Sequence, residues 1–195
     1  MSDTTERPER SGPLSDGIVR RASPEDAEGI GAIHVSAWRV AYRDLLPAAI
    51  LDGLDVRART EGWRRGLAHP SHRIYVARRG KEVLGFVSLG PSRDEDQAKV
   101  CEMTTLYVAP DHWRQGFGSR LCQAAIAAAT ALGYGQLTLW VLDTNTRAVA
   151  FYRRHGFRED GGVRRDEVAA GYRIREIRMR RFLVASRTSP SETVA

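Results

Sequence analysis

Apolar positions along the chain recur at two periods, and the switches between them mark out the elements. A short extended run, Ile18 to Arg21, precedes Ser23-Pro24-Glu25-Asp26, where a serine cap, a proline at the first helical position and an acid three residues after the cap announce a helix start. Ile30, Ile33, Ala37 and Trp38 then stand near helical spacing, so the helix is expected to run to about Tyr42. Pro47 separates it from a second helical stretch that reaches about Leu67, with a break placed at Gly53. From Arg73 the period becomes that of strands. Ile74 to Ala77, a turn at Arg79-Gly80-Lys81, and Val83 to Leu89 predict a hairpin.

A polar loop, Pro91 to Gln97, leads to Val100 to Ala109, which lacks clean alternation and so suits a central strand covered on both faces. Beyond Pro110 comes an alanine-rich helix, Gly118 to Ala131, ended by Gly133 and Gly135. A strand at Gln136 to Val141, a helix from about Thr146 to Arg154, a stop at Gly156-Phe157 and an extended pair around Val163 and Ile174 to Leu183 complete the order. No internal repeat is visible. This succession predicts an α/β or α+β layered domain with a mixed sheet.

Composition narrows the class. With 195 residues and 42% apolar content, the chain is long enough for one cored domain and short for two. Residues 1–16 and 185–195 are rich in Ser, Thr, Pro and charge without periodicity, the composition of disordered tails, so the domain is expected over 17–184. The least charged helical stretch, Leu121 to Trp140, is interrupted by Gln123, Gly133, Gly135 and Gln136 and is no membrane span. The first fifteen residues hold no apolar stretch that a secretion apparatus could read, so a cytoplasmic address is expected. Cys101 and Cys122 read as small buried hydrophobes, and no metal or disulfide framework is suggested. The net charge of +6 is almost wholly arginine, since only Lys81 and Lys99 are lysine. It would help collect a polyanion, but it is scattered, and Arg173 to Arg181 alternates with apolar residues as a strand does. Nucleic acid is therefore not the expected partner.

Two segments carry chemistry. Trp113-Arg114-Gln115-Gly116-Phe117-Gly118-Ser119 lies between a strand and a helix, where glycines admit a ligand to the backbone and free amides with the helix dipole favour a phosphate. By itself such a turn also serves as a plain connection; the third glycine of a dinucleotide motif is missing, with Leu121 in its place. About thirty residues on, Asn145 follows a strand and Tyr152 stands seven residues later, two helical turns along and on the same face. The bland reading makes Asn145 a helix cap and Tyr152 a core residue.

Taken in order and spacing, these segments and the strand Cys101-Glu-Met-Thr-Thr-Leu-Tyr-Val-Ala-Pro110 resemble the GNAT (Gcn5-related N-acetyltransferase) superfamily, and the likeness covers nearly the whole domain. It includes Ala37-Trp38-Arg39-Val-Ala-Tyr42-Arg-Asp-Leu-Leu-Pro47, similar to the acceptor-side helices of bacterial members. The resemblance implies a mixed, mostly antiparallel central sheet flanked by helices, and transfer of an acetyl group from acetyl-CoA, the co-substrate, to a primary amine of a small molecule or protein by direct attack in a ternary complex. It implies that the strand residues Leu106, Tyr107 and Val108 meet pantetheine, that Arg114, Gln115, Gly116, Phe117, Gly118 and Ser119 hold the pyrophosphate, and that Asn145 contacts the coenzyme. Tyr152 corresponds to the tyrosine that protonates the departing thiolate, and Glu102 to a glutamate that serves as base. Glu102 lies four strand residues, roughly 13 Å, from Leu106, so its proton would travel through water. It also reads as an acid paired to an arginine.

Trp113 replaces the family's usual Gln or Arg, and since the turn acts mainly through backbone N–H, cofactor binding is expected to survive. The position five before Asn145, where members acting on ribosomal protein N-termini carry their base, is Trp140. Trp38 and Tyr42, together with a loop at Gly161 to Gly171 bearing Asp166 and Glu167, are the candidate acceptor contacts, although Trp38 and Tyr42 suit the core equally. His112 and His155 read as surface or half-buried histidines, and Arg120, Arg153 and Arg154 as solvated arginines or contacts for the 3′-phosphate. The acceptor and the oligomeric state, a homodimer included, are left open, and a non-catalytic acyl-CoA-binding sensor is the alternative.

Overall fold

The computed structural model describes residues 17–94, 99–169 and 172–184. The proposed tails, and residues 95–98 of the polar loop, lie outside the described residues. β1 (Ile18–Arg21) leads through a 3-10 turn at Pro24–Asp26 into α1 (Ala27–Ala41), then α2 (Ala48–Asp52) and α3 (Val56–Ala68). The turn closes as a capping box, with the Asp26 carboxylate accepting from the Ser23 amide at 2.8 Å. β2 (Arg73–Arg79), β3 (Glu82–Pro91) and β4 (Val100–Val108) follow, then α4 (Phe117–Ala131), β5 (Gln136–Leu142), α5 (Thr146–Arg154), β6 (Arg158–Ala169) and β7 (Tyr172–Phe182). The expected elements are all present, with boundaries shifted by a few residues at most except at the last pair. There the expected loop at Gly161 to Gly171 is a correction: strand β6 continues through it to Ala169, paired to β7 from Arg158↔Arg180 to Ala169↔Tyr172. Asp166 and Glu167 are therefore ladder residues. Gly161 and Gly162 form an irregularity between Glu159 and Val163, with Gly161 at φ +88°.

The strands form one seven-stranded sheet in the order β1-β2-β3-β4-β5-β7-β6, antiparallel at every junction except β4–β5. β4 lies fourth of seven and is covered on both faces, as its lack of clean alternation suggested. α4 packs on one face through Phe117, Leu121, Cys122 and Ala125 against Leu84, Cys101, Met103 and Leu139. α1 and α3 cover the other, where Ile30 and Ile33 meet Ile74, Val76 and Phe86. The two helices approach closely because Gly31 has no side chain: a Cβ there would fall 2.2 Å from Thr60 Oγ1. A smaller cluster of Val35, Leu46, Leu51, Leu54 and Leu142 ties α1 and α2 to the end of β5. Among the described residues no helix is long and apolar enough to cross a membrane.

Candidate active site

The parallel junction is short. β4 pairs β5 only at Val100↔Gln136, Cys101↔Leu137 and Glu102↔Thr138, whereas on its other side β4 pairs β3 as far as Val108. One extra residue, Thr104, is inserted where Ser88 opposes Thr105 and Leu89 opposes Met103, and this bulge bends β4 away from β5. From Met103 to Val108 the β5-facing edge of β4 thus has no strand beside it. An extended ligand can add to such an edge through main-chain hydrogen bonds, as a peptide does in strand addition. Leu106 and Val108 turn toward the α4 core, and Tyr107 toward α1.

The turn that follows has an unusual backbone. Arg114 has φ +62° and Gly116 φ +85°, both left-handed, and α4 then starts without a side-chain cap on Gly116. Left-handed and right-handed residues in succession form an anion-binding concavity, here opening onto the first turn of a fifteen-residue helix. Gly116 is required by its φ rather than by crowding, since a Cβ would meet nothing within 4 Å. That open space suits a diphosphate. Gln115 donates to the Asp111 carbonyl at 3.0 Å, and Ser119 is half-buried in the first turn of the helix.

Trp113 has a definite place. Its indole N–H donates to the Val108 carbonyl at 2.8 Å, pinning the entry of the turn to the end of β4. The Arg147 guanidinium of α5 lies 4.0 Å from its ring centroid and is exposed. A cation therefore stands beside the turn, although the side chain at position 113 is neutral.

On the far side of the gap, α5 begins at Asn145, whose side-chain oxygen accepts from the Ala148 amide at 3.1 Å. The cap fixes where α5 starts and hence where Tyr152 falls. Tyr152 packs on Phe151 and Phe157, with ring centroids at 5.3 and 5.8 Å, and its hydroxyl makes no hydrogen bond among the described residues. Burial pushes its phenol well above the usual tyrosine range, with Cys122 and Tyr42 adding to the effect. It is therefore protonated throughout the neutral range.

Tyr152 has phenol neighbours. The Tyr42 and Tyr107 hydroxyls approach to 3.5 Å, and burial raises both, with Tyr42 and Tyr152 acting on Tyr107. α1 supplies His34, Trp38 and Tyr42 at four-residue spacing, one stripe along the helix, with centroids 5.6 Å apart for His34–Trp38 and 5.0 Å for Trp38–Tyr42. His34 Nδ1 accepts from Trp63 Nε1 at 3.0 Å, and burial followed by the Arg59 charge lowers its pKa to about 4. The imidazole is therefore neutral with its proton on Nε2.

Glu102 is 1% exposed, and its carboxylate is held by Arg93: Nε lies 3.0 and 3.2 Å from the two oxygens, Nη2 also donates, and the Arg93 amide adds a bond at 3.2 Å. The arginine-paired reading is thus realised in the structure. Glu102 opposes Thr138, Thr138 opposes Arg180 and Trp140 opposes Arg178, so the pleat puts Glu102 and Trp140 on one face of the sheet. There Trp140 lies beneath Arg164 and Arg178, at 4.7 and 5.7 Å.

The structure packs Leu106, Val108, Phe117 and Tyr152 into one core cluster, sets the Tyr107 phenol against that of Tyr42 with Trp38 beside it, and places Asn145 at the start of the helix whose Arg147 covers Trp113 at the head of the 114–119 turn. The flanking groups are otherwise engaged. Arg120 donates to the Gly17 carbonyl at 2.9 Å, Arg153 pairs with Glu159, His155 contacts the Phe151 carbonyl and His112 lies 3.5 Å from Glu82. Sequence reasoning missed His34, Trp63, Arg59 and the side chain of Tyr107. Only the four-residue spacing of His34, Trp38 and Tyr42 hinted at the first. No group of three or more potential metal ligands occurs among the described residues.

Comparison with protein families matches residues 34–157 to the acetyltransferase (GNAT) family. The uncharacterized N-acetyltransferase YuaI of Bacillus subtilis is 29% identical over 162 residues, 79% of this chain and 91% of that protein. YhfO, an uncharacterized N-acetyltransferase of the same organism, is 31% identical over 147 residues, 74% of this chain and 91% of its own length. In fold the chain is similar to PaiA N-acetyltransferase from Thermoplasma acidophilum, solved in complex with coenzyme A, with a TM-score of 0.72 at 18% identity over 86% of this chain and 99% of that one. A ribosomal-protein-alanine N-acetyltransferase from Brucella melitensis is likewise similar, with a TM-score of 0.68 at 24% identity over 85% of this chain and 99% of that one. With the matched segment spanning α1 through α5 and the gap between β4 and β5, this chain belongs to the acetyltransferase (GNAT) family.

Proposed function

We propose that the chain transfers an acetyl group from acetyl-CoA to a primary amine by direct attack, with both substrates bound at the β4–β5 gap. The observation that carries this reading is an unpaired β4 edge, an uncapped helix start and a buried, protonated tyrosine whose residues Val108, Phe117 and Tyr152 pack in one core cluster. The 114–119 amides hold the diphosphate, Leu106 to Val108 the pantetheine arm, and Asn145 borders the same channel. Acetyl-CoA supplies a thioester whose sulfur leaves as a thiolate.

Tyr152 is the general acid for that sulfur. Burial opposes both charged forms here: Cys122, in the same core, has its thiol pushed up to about 12. A thiolate released into such surroundings is a stronger base than one in water, which offsets the high pKa of its phenol donor. The acceptor amine must lose a proton, and removing one from an ammonium at pH 7 costs roughly 4 kcal/mol. Glu102 takes that proton through water, with its carboxylate held in place by the Arg93 hydrogen bonds. Trp38 and Tyr42 form the acceptor side.

The test is an amine panel followed by free-thiol release, with coenzyme A binding measured by calorimetry. Expected are micromolar binding and amine-dependent thiol release that drops at least about a hundredfold in Glu102→Gln. Absence of binding heat refutes the proposal. Full activity in Glu102→Gln removes the base and leaves the carboxylate a structural ion pair.

A further inference from the structure

His34 is 9% exposed and lies between two helices and the sheet, yet only one of its nitrogens is used. Nδ1 accepts the Trp63 indole hydrogen, which forces the remaining proton onto Nε2, and this Nε2–H has no hydrogen-bond partner among the described residues. One turn along α1, the buried Trp38 Nε1–H makes no well-formed hydrogen bond, its nearest acceptor being the Tyr107 hydroxyl on which it acts as a donor. A buried donor left unsatisfied costs about 1–3 kcal/mol, so the unpartnered Nε2–H of His34 calls for a use. The His34 ring is 5.3 Å from that of Tyr107, whose hydroxyl is 3.5 Å from that of Tyr42, so both donors lie beside the phenol of a proposed acceptor contact.

The charges around the cluster decide what these donors face. Arg59, exposed and without an ion pair among the described residues, stands 5.9 Å over the Trp38 ring, and its charge acts on His34. Glu176 reaches the cluster from β7 on the Tyr42 side, where it also pairs with Arg164. The His34 end of the cluster is therefore rich in donors and bordered by a cation, which disfavours an ammonium and favours an oxygen. The Tyr42 end is bordered by an acid.

We propose that His34 Nε2–H and Trp38 Nε1–H form a subsite for a carbonyl-type oxygen of the acceptor, a carboxamide or carboxylate carried some carbons from its reacting amine. Trp63 is the positioning residue, because its N–H fixes the tautomer that leaves Nε2 a donor. This inference rests on the acetyltransferase reading and adds to it that acceptors bear such an oxygen.

The experiment measures kcat/KM at saturating acetyl-CoA for matched linear amines of two to five methylenes ending in carboxamide, carboxylate or methyl. The wild type is expected to favour an oxygen-bearing acceptor over its methyl counterpart by about tenfold at one chain length, the worth of one well-formed hydrogen bond. The carboxylate arm exceeding the carboxamide arm assigns Arg59 a share, and the reverse order assigns a neutral amide. Trp38→Phe, which keeps an aromatic ring and removes the donor, should cut the preference. His34→Leu should abolish it, while His34→Gln, whose amide can accept from Trp63 and still donate, should retain part of it. A preference below twofold at every length, or one that survives both His34→Leu and Trp38→Phe, overturns the subsite. Transfer to none of these amines with coenzyme A binding intact also overturns it, whereas loss of coenzyme A binding overturns the acetyltransferase reading beneath it.

Discussion

Tyr152→Phe separates chemistry from binding with little structural disturbance. The ring stays against Phe151 and Phe157, and the deleted hydroxyl makes no hydrogen bond among the described residues, so no partner is orphaned. Stability should stay within about 0.5 kcal/mol, a melting shift under about 2 °C for a domain of this size. Coenzyme A affinity should hold within twofold, since the amides of 114–119 and the β4 edge are untouched. Removing a general acid costs about 10²- to 10⁴-fold in rate, about 3–5 kcal/mol of barrier. The defect should therefore appear in kcat and in single-turnover thiol release. Because burial raises the phenol above its usual 10.0, wild-type kcat should show no alkaline fall from this group below pH 10. Single-turnover release within twofold of wild type at unchanged coenzyme A affinity would refute the assignment, and a loss wholly accounted for by weaker cofactor binding would make Tyr152 a packing residue.

Arg147→Gln should weaken coenzyme A binding about fivefold by calorimetry, more at low salt, because the guanidinium held 4.0 Å over Trp113 is the cation beside the diphosphate turn. An unchanged affinity would mean that the stacked arginine serves only the fold. His34 gives a stability signature: its folded pKa of about 4 lies below the unfolded 6.5, so between these values the unfolded chain binds more protons. Stability is then fully present above pH 6.5 and falls as pH drops toward 4, by about 3 kcal/mol from this residue, and His34→Gln should flatten the dependence in denaturant titrations. Cys101 and Cys122, both buried with thiols pushed up to about 12, should resist iodoacetamide at pH 8 in the native protein and react at once in denaturant.

The differences between what sequence and structure reveal follow from the range of each interaction. Helix starts at Ser23 and Asn145 and the turn at Gly116 are written in neighbouring residues, so their positions were legible. The central place of β4 followed from its lack of clean alternation, because a strand covered on both faces can dispense with it. That Glu102 pairs with an arginine is one reading the sequence allows, but that the arginine is Arg93 was beyond reach, since the two sit nine residues apart across a loop whose path no local rule dictates. The final strand pair was legible only in part, as an extended run around Val163 inside a Gly161 to Gly171 loop, because the ladder with β7 that carries β6 to Ala169 is set by a partner strand and not by local residues. His34 is the most instructive case. A lone histidine on an apolar helix face reads as core, and it becomes chemical only when Trp63, twenty-nine residues later, occupies one nitrogen and leaves the other facing the aromatic wall. Family likeness could not supply it either, since family motifs record the acetyl-CoA side that members share. The proposed acceptor side is instead built from contacts between helices α1 and α3 and strand β4, whose partners stand far apart in the chain.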